Sequence, residues 1–369
     1  QNIGSRTTYY NNIKVKKALA KEAIEVKGLP KNPRLSNFSL SPNEKMIACL
    51  NTTKDGTEVW ILDIEKATVK KLTETVVNAN MRNTINWFKD NDAMLVKVLP
   101  ENRKSLIDTQ KAIPLGPTVS VSDGAKAQNR TYQDLLKNPN DEQNFEQLAY
   151  SELKKVSIDG VQSDFLPAAM YNTVNFSPNG NFVMVSHIKK PFSYLVTYRR
   201  FPYEKNIYTK TGKLVGLVND VPLNEVQPKG FMATRSGKRQ MTWRDDKPAT
   251  LVWVEALDEG DPENNVTHRD ALFELDAPFN GNARLLIKTQ NRFSSIDWGT
   301  KNTAIAYDYW WNDRNTKSYL FDPSDNSKKA KVITDRNYQD SYSDPGDFVT
   351  HKNDLGRQVI TLVDNKLFL

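Results

Sequence analysis

The chain has 369 residues, 38% of them apolar, with 51 lysines and arginines against 44 acids and a net charge of +7. That balance describes a globular chain with a large core and excludes intrinsic disorder. No apolar run reaches the ~18 residues of a membrane-spanning helix. The basic residues are scattered among acids, apart from clusters at residues 14–17 and 235–239, unlike the single basic face of a nucleic-acid binder.

In chain order, residues 7–26 read as an outer hairpin. A repeating unit follows. Leu40-Ser41-Pro42-Asn43 makes a polar turn into the apolar run 46–50, and Trp60-Ile61-Leu62-Asp63 leads through a second turn into 69–73. The unit recurs as Ile85-Asn86-Trp87 before 93–96, with its second half at 153–159. The third copy is Val174-Asn175-Phe176-Ser177-Pro178-Asn179-Gly180 before 182–185, then 207–211. Weaker copies begin at Trp243 and Trp298, with second halves at 272–276 and 319–322. Residues 348–369 read as an inner hairpin.

Two hairpins per unit make a four-stranded antiparallel sheet, which buries both faces only when stacked between neighbours, as in a propeller blade. Key positions 40, 87, 176, 243 and 298 are 47, 89, 67 and 55 residues apart. A blade takes about 40–50 residues, so the larger gaps imply insertions. The expected fold is all-β: one β-propeller over residues 1–369, with six or seven four-stranded blades. A β-sandwich, or a pair of them, is the competing architecture. Residues 110–150 are the exception, expected to carry turns at 114–117 and 120–124 and short helices at 130–136 and 141–148. Asp141 is the expected N-cap of the second helix.

The Ser-Pro-Asn-Gly turn resembles the Ser-Pro-Asp-Gly blade repeat of TolB-like and prolyl oligopeptidase-family propellers. Longer segments narrow the likeness. They are Asn129-Arg130-Thr131-Tyr132-Gln133-Asp134-Leu135-Leu136, Pro191-Phe192-Ser193-Tyr194 with Arg200-Phe201-Pro202, Trp253-Val254-Glu255-Ala256-Leu257-Asp258 with Gly260-Asp261, and Tyr307-Asp308-Tyr309-Trp310-Trp311. Together they resemble the propeller of the glutamyl-endopeptidase-like branch. The resemblance implies a propeller that caps an α/β-hydrolase domain of the same parent chain, restricts access to short peptides and lends side chains to the substrate cavity. It also implies export, to the periplasm or outside the cell. This sequence departs from the pattern at Leu40, where a Trp is usual, and at Asn43-Glu44, which replace Asp-Gly. The chain begins at Gln1 and stops at Leu369, so a cut N-terminus and a hydrolase domain beyond this chain are expected.

No Gly-x-Ser-x-Gly nucleophile turn occurs, and the three histidines are His187, His268 and His351. No catalytic residue is therefore expected here. Cys49 is the sole cysteine, which excludes an intrachain disulfide and a thiolate metal cluster. No zinc or calcium motif occurs, and no metal or cofactor is implied. The acidic run Asp258-Glu259-Gly260-Asp261, followed by Glu263, reads as a solvated turn, with a cation site as the alternative and, as the resemblance implies, an acidic rim for a substrate amino terminus as a third role. Tyr307, Tyr309, Trp310 and Trp311 read as strand residues on alternating faces.

Arg199-Arg200 stands out. Guanidinium binds carboxylate through two parallel hydrogen bonds and stays charged at every relevant pH. With residues 191–198 read as a strand, the two arginines point to opposite faces, and Arg200 is expected to reach the cavity. The expected substrate-binding residues are Arg200, Arg199, Tyr194, Tyr198 and Arg130. The expected partners are a peptide substrate, with an acidic side chain before the scissile bond, and the hydrolase domain, with no nucleic acid. The rival readings are a stand-alone TolB-like binding propeller and a propeller glycosidase or lyase, for which no carboxylate pair is evident.

Overall fold

A computed structural model describes residues 2–108, 111 and 132–369. A first hairpin pairs β1 (Lys14–Val15) with β2 (Ile24–Glu25). Five four-stranded antiparallel sheets follow, each a meander with strands in chain order. The first sheet is β3 (Leu35–Leu40), β4 (Met46–Thr52), β5 (Thr57–Asp63) and β6 (Thr68–Lys71). The second is β7 (Ile85–Trp87), β8 (Ala93–Val98), β9 (Ser151–Ser157) and β10 (Gln162–Ala169), with helix α1 (Pro139–Ala149) between β8 and β9. The third is β11 (Tyr171–Phe176), β12 (Phe182–Ile188), β13 (Tyr203–Thr209) and β14 (Leu214–Val221). The fourth is β15 (Arg239–Trp243), β16 (Thr250–Ala256), β17 (Asp270–Asp276) and β18 (Arg284–Thr289). The fifth is β19 (Arg292–Thr300), β20 (Thr303–Trp310), β21 (Asn315–Phe321) and β22 (Lys331–Asn337). Two hairpins end the chain, β23 (Thr350–Lys352) with β24 (Gln358–Ile360) and β25 (Leu362–Val363) with β26 (Lys366–Leu367). This is the blade architecture the repeat predicts, with all five expected units formed.

Packing divides the chain into two compact units, one carrying the first three sheets and the other the last two with the C-terminal hairpins. In the first unit β8 shows why sheets must stack. Met94 and Val96 pack with Ala48, Leu50, Val59 and Ile61 of the first sheet. The alternate residues Ala93 and Leu95 pack with Val174, Val183 and Val185 of the third. A strand with period two thus buries both faces, and each large apolar side chain contributes about 1.5–3 kcal/mol. In the second unit Val252, Val254 and Leu272 meet Trp298, Ala304, Ala306 and Phe321, and Val359 of β24 joins the same cluster.

The recurring turn has a common geometry. Ser41 Oγ donates to Asn43 Oδ1 at 2.8 Å, and Ser177 Oγ donates to Asn179 Oδ1 at the same distance. The residue after each Asn takes a left-handed backbone, φ +61° at Glu44 and φ +75° at Gly180. Glycine adopts that region without strain, so the loss of glycine at position 44 is a departure the fold tolerates at a cost.

Lys97 lies within β8 and is fully buried. Its Nζ donates to the carbonyls of Tyr171 (2.8 Å), Asn172 (3.1 Å) and Arg82, so it pins the second sheet to the start of the third. Burial pushes this ammonium from 10.5 down to about 7, against the three carbonyls, which favour the charged form.

The insertion differs from expectation at both ends. The N-cap of α1 is Asn138, whose side chain accepts from Asp141 N at 3.0 Å, and Pro139 fills the first turn. Asp141 instead accepts from Lys137 N at 2.9 Å. Asn144 ties the segment near Ile107 through both its amide atoms, at 2.8 and 2.9 Å. Over 132–136 the chain is not helical, and Asp134 has φ +59°, which a helix cannot accommodate. The turns at 114–117 and 120–124, and residues 130 and 131, lie outside the described residues.

Two outcomes follow. A Cβ on Gly180 meets Lys89 Cβ at 2.7 Å in a left-handed backbone, so Gly180→Ala lowers the unfolding free energy by about 2 kcal/mol in a urea titration. The folded chain sheds the Lys97 proton near 7, whereas an unfolded lysine holds it to 10.5. Between those values the unfolded state binds the extra proton, so stability rises with pH across that window. Urea midpoints near its two ends show this slope in the wild type and a flatter one in Lys97→Met.

Candidate functional site

The segment between β12 and β13 carries Tyr194, Tyr198, Arg199 and Arg200. It is not the strand that alternation requires. Its neck closes with Lys189 N donating to Pro202 O at 2.7 Å. Inside, Ser193 Oγ accepts from Leu195 N (2.9 Å) and Val196 N (3.3 Å), which bends the backbone. Tyr198–Arg200 then form a short 3-10 turn. Pro191 and Pro202 bracket the segment and offer no N–H to a neighbouring strand. The opposite-face argument for the two arginines therefore fails, because successive residues in a 3-10 turn are about 120° apart.

Helix α1 positions this loop. Phe145 stands edge-on to Phe192 (ring centroids 5.1 Å) and Phe201 (5.6 Å), and lies 6.1 Å from the Tyr198 ring. Phe192 and Phe201 stack at 5.3 Å. Lys190 pairs with Glu146 at 2.9 Å. The Tyr194 hydroxyl bonds the Glu142 carboxylate, which pushes that phenol up to about 12. Tyr194 and Tyr198 thus face the helix and hold the loop on it. Arg200 is half-buried and engaged with its surroundings. Arg199 is exposed and makes no ion pair among the described residues, so the braced turn presents an available guanidinium. Arg130 lies outside the described residues.

The sequence expectations do not include Phe145, Glu142 and Glu146 as supports of this site. Their signal was present, because Glu142, Phe145, Glu146 and Ala149 follow the i, i+3, i+4, i+7 spacing of one helix face.

The acidic run after β16 corrects a second expectation. Asp258 is not a solvated turn residue but only 1% exposed. Its carboxylate accepts both Arg292 terminal nitrogens, at 2.7 and 2.8 Å, and Arg269 Nη1 at 2.8 Å. Asp270 completes the cluster, accepting from Arg239 (2.6 Å), Arg292 (3.1 Å) and Phe293 N (2.9 Å). Gly260, at φ +80°, brings this loop against Thr234, whose carbonyl lies 2.0 Å from where a Cβ would stand. With both oxygens engaged, Asp258 serves as an anchor between the fourth and fifth sheets.

Trp310 ends β20, but Trp311 falls beyond it, so the alternating-face expectation does not reach Trp311. Arg269 lies 4.1 Å from the Trp310 ring centre, and Trp311 contacts Phe231 (5.1 Å) and Arg314 (3.8 Å). The Tyr307 hydroxyl donates to Asp297 at 2.9 Å. His187 faces Glu204 at 3.6 Å, with burial pushing its pKa down, and His351 Nδ1 lies 3.0 Å from Thr361 Oγ1. Among the described residues no group of three or more His, Cys, Asp or Glu could hold a metal ion.

Removing one partner from a buried ion cluster strands the others. Asp258→Asn is therefore expected to cost about 3–5 kcal/mol in unfolding free energy, read by urea titration, while Glu263→Gln on the exposed end of the same loop changes it by less than about 0.5 kcal/mol.

No family model matches the chain. It is 31% identical over 380 residues to the probable chloroplastic glutamyl endopeptidase of Oryza sativa subsp. japonica, covering 98% of this chain and 40% of that protein. The corresponding protein of Arabidopsis thaliana is 29% identical over 377 residues, covering 98% and 39%. The chain thus spans about two-fifths of the length of these curated relatives. Similar solved structures include a prolyl endopeptidase (TM-score 0.44, 11% identity, 85% of this chain and 37% of that one). The tricorn protease aligns at TM-score 0.47 with 9% identity over 88% of this chain and 28% of that one. TolB from Acinetobacter baumannii aligns at 0.35 with 7% identity, over 82% and 55%. The sequence likeness along nearly the whole chain and the four-stranded meander sheets agree: the chain belongs to the prolyl oligopeptidase family, as a β-propeller domain of its glutamyl-endopeptidase-like branch.

Proposed function

We propose that this propeller acts with a hydrolase domain of the same parent protein, gates the access of short peptides to it, and contributes a carboxylate-binding contact to the substrate. The reading places the protein in an exported, periplasmic or extracellular setting. The single observation that carries it is the available Arg199 guanidinium on a turn braced by Phe145, Phe192 and Phe201. Bracing matters because a turn already held in place loses less backbone entropy on binding than a mobile loop.

Arg199 is the contact residue in this reading, and Arg200, half-buried beside it, holds the turn and adds positive potential. A guanidinium–carboxylate pair contributes about 1.5–3 kcal/mol when the hydrogen bond is charge-assisted. That range corresponds to about a 10- to 150-fold preference for an acidic over a neutral side chain. The full-length enzyme tests it with matched peptides carrying Glu or Gln before the scissile bond. Arg199→Ala and Arg200→Ala are each expected to lower the Glu-to-Gln ratio of kcat/KM, with the larger drop at Arg199. An equal loss on both peptides overturns the reading.

A further inference from the structure

We propose that the β1–β2 hairpin is a docking finger for the surface of an anionic phospholipid bilayer. Its root is fixed and its tip is free. Val26 is buried with Leu62 and Ala67 of the first sheet, and Ile13 and Val15 pack against the same cluster. Lys27 N donates to Ala67 O, and Val69 N donates to Lys27 O, both at 2.9 Å, so the hairpin base is bonded to the edge beside β6. Lys14 pairs with Glu25 across the two strands at 2.5 Å.

Beyond that base, residues 16–23 read Lys-Lys-Ala-Leu-Ala-Lys-Glu-Ala. Lys16, Lys17, Lys21 and Glu22 are exposed, and none makes an ion pair among the described residues. Leu19 at the tip is 103% exposed, in a left-handed backbone of φ +67°, and Ile24 is 49% exposed. A left-handed backbone is strained for leucine, and among the described residues nothing covers its side chain to offset that strain.

The shape selects the partner. A specific protein interface buries about 800 Å² on each side, which a narrow convex tip of eight residues cannot supply by itself. A bilayer surface receives a convex tip without matching it. Three unpaired lysines meet the headgroup charge while one leucine enters the acyl boundary. Charge complementarity therefore favours an anionic lipid surface. Binding of this kind is reversible and independent of the carboxylate contact proposed above.

Vesicle co-sedimentation tests the proposal on the chain, using vesicles of phosphatidylcholine alone and of two parts phosphatidylcholine to one of phosphatidylglycerol. The wild type is expected to partition onto the anionic vesicles, not the neutral ones, and to be released by high salt. Each lysine contributes about fivefold near such a surface, so Lys16→Gln, Lys17→Gln and Lys21→Gln combined lower the partition coefficient about a hundredfold. Leu19→Ser lowers it about tenfold. The tip is exposed, so circular dichroism and urea midpoints of the variants should match the wild type. Equal partition onto the two vesicle types, or undiminished binding by the lysine variant, overturns the proposal.

Discussion

A sheet that is apolar on both faces cannot stand in water, and that requirement organises this molecule. β8 is the clearest instance, since its residues from Ala93 to Val98 are all buried and alternate between two neighbouring sheets. The same holds where Ala304 and Ala306 of β20 meet Val252 and Val254 of β16. Once the faces are committed to packing, only the strand ends remain for function. The long connections after β8, β12 and β16 are accordingly where the chain carries α1, the arginine turn and the Asp258 loop.

Polar groups between sheets act as pins, and two chemical solutions appear. Among the described residues Lys97 has no carboxylate partner; three backbone carbonyls replace its lost hydration. Asp258 and Asp270 are answered by Arg239, Arg269 and Arg292, whose planar forks share the two carboxylates. Both arrangements specify which sheet edges meet, because any slip in register would strand a buried charge. Apolar packing alone is less exacting, since aliphatic side chains tolerate small displacements.

The arginine turn shows how a rigid scaffold presents an exposed cation. Its backbone has left the sheet, and the order lost there is restored by a helix inserted in a different blade. Phe145 reaches across to Phe192, Phe201 and Tyr198, and Glu142 and Glu146 bond Tyr194 and Lys190. The insertion in the second sheet and the loop of the third are therefore one structural feature.

Repeat period, alternation and turn chemistry are local properties, so the sequence by itself determined the meander sheets, their two buried faces, and the shared Ser-Pro-Asn turns at Ser41 and Ser177. It also marked Arg199 and Arg200 as unusual, and it contained the helix face of Glu142, Phe145 and Glu146 without saying what that face would meet. Tertiary structure alone decided three matters: that residues 191–201 fold against α1 instead of extending, that Asp258 is enclosed by Arg269, just before β17, and Arg292 of β19, and that Lys97 ends among carbonyls. Each depends on partners distant in the chain (Phe145 and Phe192, Asp258 and Arg292, Lys97 and Tyr171). Periodicity reports how a segment faces a core. It carries no record of which distant group will be waiting there.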